Sequence, residues 1–405
     1  MNIFVLLVLA MGIIVGLLRR HVHVGPAMLL SGLFLWVMRS QDVVLLFQSF
    51  VDVFKASRTY DLIGALYFVM CLEIELRTSG TLAGMVQALQ RLFSSARVIL
   101  AVMPAFLGLL PSLGGARFSA PIVEEASKKA GLDPNHKAAI NFWFRHPFEC
   151  SNPIIPGMIM ACAIAQVPYI DFVVHTVWVT PVFLIIGWLV LIRPVPADAN
   201  VEVDRENEDL RKNIIDIALS LSPVLFNLFL VIVFRMGAAV SMCLTTALLF
   251  LVLKLMGRHV DLKEVILGAV DKKMLIDIIC IFYFIQLMTE TKILQETVDA
   301  FRASPLPVPV VVAMVSVVIG LLTGMAQAHV SIIMPIVASL DPGNLNLAAV
   351  AMIFGIAGQM LTPTHMCLIV TLDYFNADLF KTLRPILLME CILLTIFSCV
   401  TYVLW

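Results

Sequence analysis

Apolar residues run along this chain in blocks long enough to cross a bilayer as helix, which takes about 20 residues. The blocks fall at 3–18, 22–38, 62–76, 138–167 and 172–192, then again at 214–234, 238–256, 275–288, 347–375 and 386–404. The blocks at 138–167 and 347–375 are each interrupted by proline and polar residues. Between blocks, Leu82, Met85, Val86 and Leu89 recur at i, i+3, i+4, i+7, and Leu294, Thr297, Val298 and Phe301 repeat that stripe 212 residues later. Both segments predict amphipathic helices lying in the membrane interface.

The most informative pattern is a duplication. Gly108 to Ser119 reads GLLPSLGGARFS and Gly320 to Ser331 reads GLLTGMAQAHVS, with Pro-Ile-Val after each at Pro121 and Pro335. On the far side of each break the apolar run is too short to cross, so each copy predicts a re-entrant hairpin. Irregular backbone survives at membrane depth only where protein or a water-filled cavity covers it. The expected fold is therefore an all-α integral membrane protein of two repeats of about five transmembrane helices. The first repeat covers 1–192, with its hairpin near 97–130 and a broken helix at 138–167. The second covers 213–405, with its hairpin near 308–340 and a broken helix at 347–375. Residues 193–212 carry ten charges and read as a cytoplasmic linker.

Composition agrees about the solvent. With 60% hydrophobic and 14% charged residues, the 405-residue chain has too little polar surface for a water-soluble globule. A net charge of -1 without a dense basic cluster gives no reason to expect nucleic acid. The eight cysteines form no CxxC pair and read as small buried hydrophobes. Residues 1–18 carry their positive charges, Arg19 and Arg20, after the apolar run, which reads as a retained span and not a signal peptide. Five crossings per half make the two repeats inverted copies. With both termini outside, nineteen of the 27 Lys and Arg fall on the cytoplasmic side of an inner membrane, in keeping with the positive-inside rule.

Paired discontinuities of this kind point to the binding site of a secondary transporter. Two hairpin tips and two helix breaks, RHPFECSNPIIP from Arg145 and GQMLTPT from Gly358, are expected to converge. Proline breaks free carbonyls for cations, and half-helix starts free N–H groups for anions. Arg117, on the glycine-flanked first tip, is costly in a bilayer and calls for an anionic partner, either substrate or Glu149, Glu124 or Glu125. The N–H groups and side chains of Ser112, Gly114, Gly115 and Ser119 would join it. Gln327, His329 and Ser331 stand at the corresponding places of the second tip, and His329 is read either as functional or as a satisfied core residue. Asn152, Thr362 and Thr364 supply neutral oxygens and donors for substrate or for Na⁺, with helix capping as their alternative. For ion coupling the candidates are Arg145, His146, Glu149 and Gln359. An internal ion pair of Arg145 with Glu149, four residues on, is the competing reading. Asp216, Asp277, His175 and Glu390 are assigned no role. No cofactor or metal-ligand motif appears beyond the coupling ion.

The runs PSLGGARFSAPIVEEA, KAAINFWFRHPFE and SNPIIP together resemble an uncharacterised family of prokaryotic integral membrane proteins in the ion transporter superfamily, beside gluconate:proton and citrate symporters. The resemblance implies inverted repeats, each with a hairpin and a broken helix, cation-coupled movement of small anions by an elevator-type or rocking motion, and a homodimer. In related dicarboxylate carriers the tips carry Ser-Asn-Thr. Here Ser151-Asn152-Pro153 and Thr362-Pro363-Thr364 stand nearest, with proline replacing a ligand. The expected function is transport of a small carboxylate-type anion coupled to H⁺ or Na⁺. A non-transporting subunit or channel and an intramembrane enzyme are the alternatives. Against the enzyme stands the lack of an HExxH motif, although His146, Glu149 and Ser151 leave it a small opening.

Overall fold

The computed structural model describes residues 3–109, 115–197 and 210–404. Ser112 and Gly114 lie outside them, as do residues 198–209 of the connector and the side chains of Gly115 and Arg117. In the first half the helices are α1 (Ile3–Arg19), α2 (Val24–Arg39), α3 (Val43–Lys55), α4 (Ser57–Thr78), α5 (Thr81–Leu92), α6 (Ala96–Leu109), α7 (Gly115–Ser127), α8 (Pro134–Phe144), α9 (Pro156–Ala165), α10 (Tyr169–Thr176) and α11 (Val179–Gly187), the last running into a π-turn at Trp188–Ile192. The second half supplies α12 (Leu210–Phe234), α13 (Ala238–Leu255), α14 (Leu262–Gly268), α15 (Lys272–Glu290), α16 (Ile293–Arg302), α17 (Val308–Thr323), α18 (Ala326–Leu340), α19 (Leu345–Met360), α20 (Met366–Phe375) and α21 (Leu379–Leu404).

Local chemistry sets many of these boundaries. Asp42, Asp133, Asp261, Asp271 and Asn344 each accept a backbone N–H from the first turn of the helix they open. Pro134 and Pro156 occupy first helical positions, where a missing N–H costs nothing. Gly324 closes α17 at φ +66°, a conformation in which a side chain is strained. The stripes expected on α5 and α16 point inward: Met85 and Leu89, like Leu294, Thr297, Val298 and Phe301, are buried. Two short helices, α3 and α14, stand where the sequence reading placed connections. The single polar residues within 43–55 hid an amphipathic segment behind the N-cap Asp42.

Among the described residues, four segments are long and apolar enough to cross a membrane, at Tyr169–Ile192, Arg211–Phe234, Ala238–Leu255 and Leu379–Val403. Along them Ile185, Leu189, Leu225, Phe229, Leu244, Leu248, Leu251 and Leu388 stay exposed, a display that water does not tolerate and lipid favours. The protein is an integral membrane protein.

Helix contacts follow an exchange pattern. α2 packs on α15 while α13 packs on α4; α1 meets α16 while α12 meets α5; α3 meets α15 while α14 meets α4. At the centre α7 packs on α20 and α18 on α9, and inside each half the first hairpin helix lies along the broken helix, α6 on α8 and α17 on α19. This last contact explains the glycine that opens both GLL motifs. A methyl on Gly108 would collide with the Arg145 backbone oxygen; one on Gly320 would strike the Gly355 oxygen and come 2.9 Å from the Gln359 nitrogen. Gly320→Ala should therefore lower stability by about 1–3 kcal/mol through overpacking. Thermal unfolding in detergent checks this, with Gly12→Ala, which meets nothing within 4 Å, as a control that leaves the midpoint in place.

Candidate binding site between two broken helices

The first break begins at Arg145, which caps α8, and ends at Pro156. Prolines at 147, 153 and 156 remove donors, so the strand of backbone between them turns on itself and looks to side chains for partners. Thr180 Oγ1 donates to the Pro147 carbonyl at 2.8 Å and, having spent its proton, accepts from Ser151 Oγ. Asn152 holds both directions at once: Nδ2 donates to the Leu109 carbonyl at the end of α6 (2.6 Å), and Oδ1 accepts from the Ile154 N–H (3.1 Å). The first hairpin is thus tied to the first break. Asn152→Ala should leave the Leu109 carbonyl short of a donor and cost about 1–3 kcal/mol; Asn152→Asp should cost at least as much in the same melting assay, because it sets a carboxyl oxygen against that carbonyl.

The second break runs from Leu361 to His365, the N-cap of α20. Thr362 Oγ1 and Thr364 Oγ1 are 3.0 Å apart, and the Thr364 N–H donates to Thr362 Oγ1 at 3.4 Å. Gly324 at the second hairpin tip touches this turn so closely that a methyl there would lie 2.5 Å from Thr364 Oγ1 and 3.1 Å from Thr362 Cγ2. The two breaks also meet each other. Gln359 Nε2 donates to Glu149 Oε2, Asn141 Nδ2 donates to Thr371 Oγ1 at 3.0 Å, and His146 Nε2 lies 3.1 Å from His365 Nε2. The Phe142 ring meets both imidazoles edge-on, with centroids at 4.8 and 5.2 Å.

Hydrogen-bond chemistry fixes the protons of this pair. His146 Nδ1 lies 2.6 Å from the Phe142 carbonyl, which only accepts, so Nδ1 carries the proton. In the neutral ring Nε2 is then a lone pair, and His365 must supply the proton between the two Nε2 atoms. The neutral dyad uses one proton in that contact and has a free acceptor for another. His146 Nε2 also faces Glu149 Oε1 at 3.8 Å.

Arg145 does not pair with Glu149. Among the described residues no carboxylate lies within salt-bridge distance of its guanidinium. The side chain reaches the Cys367 sulfur instead, and its Nη1 is buried without a hydrogen-bond partner. One nitrogen or sulfur each from His146, His365 and Cys367 fall within 4.8 Å of one another. A guanidinium beside them opposes a divalent cation, so we do not read the trio as a metal centre.

The remaining candidates divide. Ser119 is buried on α7. Gln327 is half-buried in the first turn of α18, and Ser331 Oγ donates to its carbonyl at 2.5 Å. His329 is fully buried; its Nε2 lies 2.9 Å from the Ala351 carbonyl, and its ring fills the space left by Gly355 on α19. Three groups escaped the sequence reading. His365 and Cys367 follow directly on the TPT turn, and adjacency to a break was the signal available for them. Glu390, on α21, has no local signal, since only tertiary packing brings it into electrostatic reach of Glu149 and Cys150.

No curated protein matches the chain. Among solved structures, the Alcanivorax borkumensis YdaH transporter, described as having an unusual topology, is similar at a TM-score of 0.54, covering 88% of this chain and 86% of that one at 15% identity. At that identity the likeness concerns the fold. The profile of a family described as "Protein of unknown function (DUF401)" matches residues 2–404, and the chain accordingly belongs to the DUF401 family.

Proposed function

We propose that the protein is a secondary transporter that moves a small carboxylate-type anion, coupled to H⁺ or Na⁺ by alternating access. In this reading it comprises two inverted repeats, with both termini outside the cytoplasmic membrane, and works as a homodimer. The observation that carries it is Arg145: a guanidinium at the junction of two broken helices, with a buried Nη1 left unpartnered and no carboxylate in salt-bridge contact. A cation so placed needs an anion, and interruption of both helices opens N–H groups toward the same junction. The first turns of α9, α18 and α20 lack side-chain caps, which leaves those donors available. The exchanged packing of the halves supports an isologous two-fold relation, and the YdaH-like fold is in keeping with a carrier. Arg117 would meet the same anion from the first tip, and Asn152, Thr362 and Thr364 would line the turn beside it. Asn152 and Thr362 also suit Na⁺, should that be the coupling ion.

Counterflow in proteoliposomes tests the proposal, because a carrier exchanges labelled cargo without a net gradient. Citrate, gluconate and succinate form the first panel, chosen after a thermal-shift screen with and without Na⁺. Accumulation of label against unlabelled internal anion is the expected result; equal equilibration in protein-free vesicles would sink it. Glu149→Gln should change the pH or Na⁺ dependence of exchange more than the anion affinity, since the amide keeps the Gln359 contact within reach but cannot titrate. An identical ion profile would remove Glu149 from coupling.

A further inference from the structure

One deeply buried carboxyl group of the second half lies outside both breaks. Glu390 sits in the middle of α21, 1% exposed, and neither carboxyl oxygen has a hydrogen-bond partner among the described residues. A carboxylate with no protein donor or cation at either oxygen is expensive inside protein and more so at bilayer depth, whereas a carboxylic acid is tolerated there. The surroundings offer no compensation. α21 packs on α8, α11, α19 and the π-turn at Trp188–Ile192, and the last three carry no titratable side chain. The groups that reach Glu390 come from the break after α8: Glu149 acts on it electrostatically, and Glu390 in turn acts on Cys150. The only cation of that segment, Arg145, reaches toward Cys367 on α20 instead.

We propose that Glu390 is a proton-carrying site of the transport cycle, holding one proton as a neutral carboxyl in the conformation described and releasing it when the pocket opens to water. This rests on the transporter reading and narrows its coupling ion to H⁺. The balance is simple: Oε–H breaks, the proton passes to water, and the carboxylate left behind is stabilised by that water until a proton from the other side restores the acid. Glu149 is its partner in the exchange. Its Oε2 accepts from Gln359, and its Oε1 lies 3.8 Å from His146 Nε2, which sets the His146–His365 dyad beside the carboxyl. Two acids that influence each other titrate as a pair, so changing one must move the other.

Infrared difference spectra of the purified protein, taken between high and low pH, report the carbonyl stretch of protonated carboxyl groups without any cargo. Wild type should show such a band with a component from Glu390, Glu390→Gln should lose that component and shift the titration of the remaining acid, and Glu390→Asp should keep it. A band that survives unchanged in Glu390→Gln, or its absence from wild type, overturns the proposal; thermal melting of each variant confirms that a folded protein is compared. Proteoliposomes holding a trapped pH-sensitive dye supply the second measurement, with citrate, gluconate or succinate imposed as an inward gradient. Wild type should acidify as label enters, and Glu390→Gln should exchange label with the acidification lost. Equal acidification by both overturns the coupling role. If wild type moves neither anion nor proton while its infrared band remains, the transporter reading fails and Glu390 stays a proton-binding site.

Discussion

Replacing Arg145 by Gln should abolish anion-dependent stabilisation of the protein and its counterflow, with folded yield close to wild type. The side chain forms no salt bridge with a carboxylate, and Glu149, which does feel its charge, keeps the hydrogen bond from Gln359 when the guanidinium is removed. A bound carboxylate, by contrast, would lose its counter-charge in a low-dielectric pocket, which costs about 2–4 kcal/mol, or a factor of roughly 30 to 1,000 in affinity. Arg145→Lys should fall between the two, because an ammonium keeps the charge and loses the planar fork. Thermal shift against a stabilising anion reads the affinity, and size-exclusion chromatography reads the fold. Unchanged anion stabilisation in Arg145→Gln would move the cation role elsewhere, first to Arg117. Arg117→Ala is then the decisive companion, expected to end uptake while insertion stays intact.

The second large effect is structural and concerns His329 and Gly355. A methyl on Gly355 would occupy the His329 ring, which is itself fully buried between α18 and α19. Gly355→Ala should cost about 1–3 kcal/mol or unfold the hairpin contact outright. His329→Ala should also destabilise, by about 2–4 kcal/mol, through the cavity left behind. Combined, the two should be milder than their sum, because the added methyl enters the space the ring has vacated; a coupling of roughly 1–3 kcal/mol is expected. Strict additivity in thermal or denaturant unfolding would mean that the ring and the glycine do not share that space. Anion affinity should be largely preserved in the folded double variant, which separates His329 from Arg145 in role.

Legibility along the chain followed the range of each interaction. The helix breaks after α8 and α19 and the stripes on α5 and α16 were readable, because periodicity and proline placement act within a few residues. Gly108 and Gly320 were recognised as a repeat, yet their reason, backbone contact with Arg145 and Gly355, is visible only in three dimensions. Helices α3 and α14 were passed over, being too short and too polar to register as spans. At the site, Arg145, His146, Glu149 and Gln359 were all selected in advance, with an Arg145–Glu149 ion pair as the competing reading. Glu149 takes its hydrogen bond from Gln359 instead of forming a salt bridge with Arg145, four residues before it. Helical spacing predicts that i, i+4 contact only while the helix continues, and here the chain leaves the helix at Arg145.

Composition and pattern alone determined that the chain is helical, that it lives in lipid, and where its apolar blocks are interrupted. Those properties follow from transfer free energies and backbone stereochemistry, which are local. Which buried charge finds a partner was decided by tertiary structure alone. That outcome depends on contacts such as His146 with His365, Glu149 with Gln359, and the approach of Glu390 to the first break, all between residues some two hundred positions apart, and no local rule encodes them.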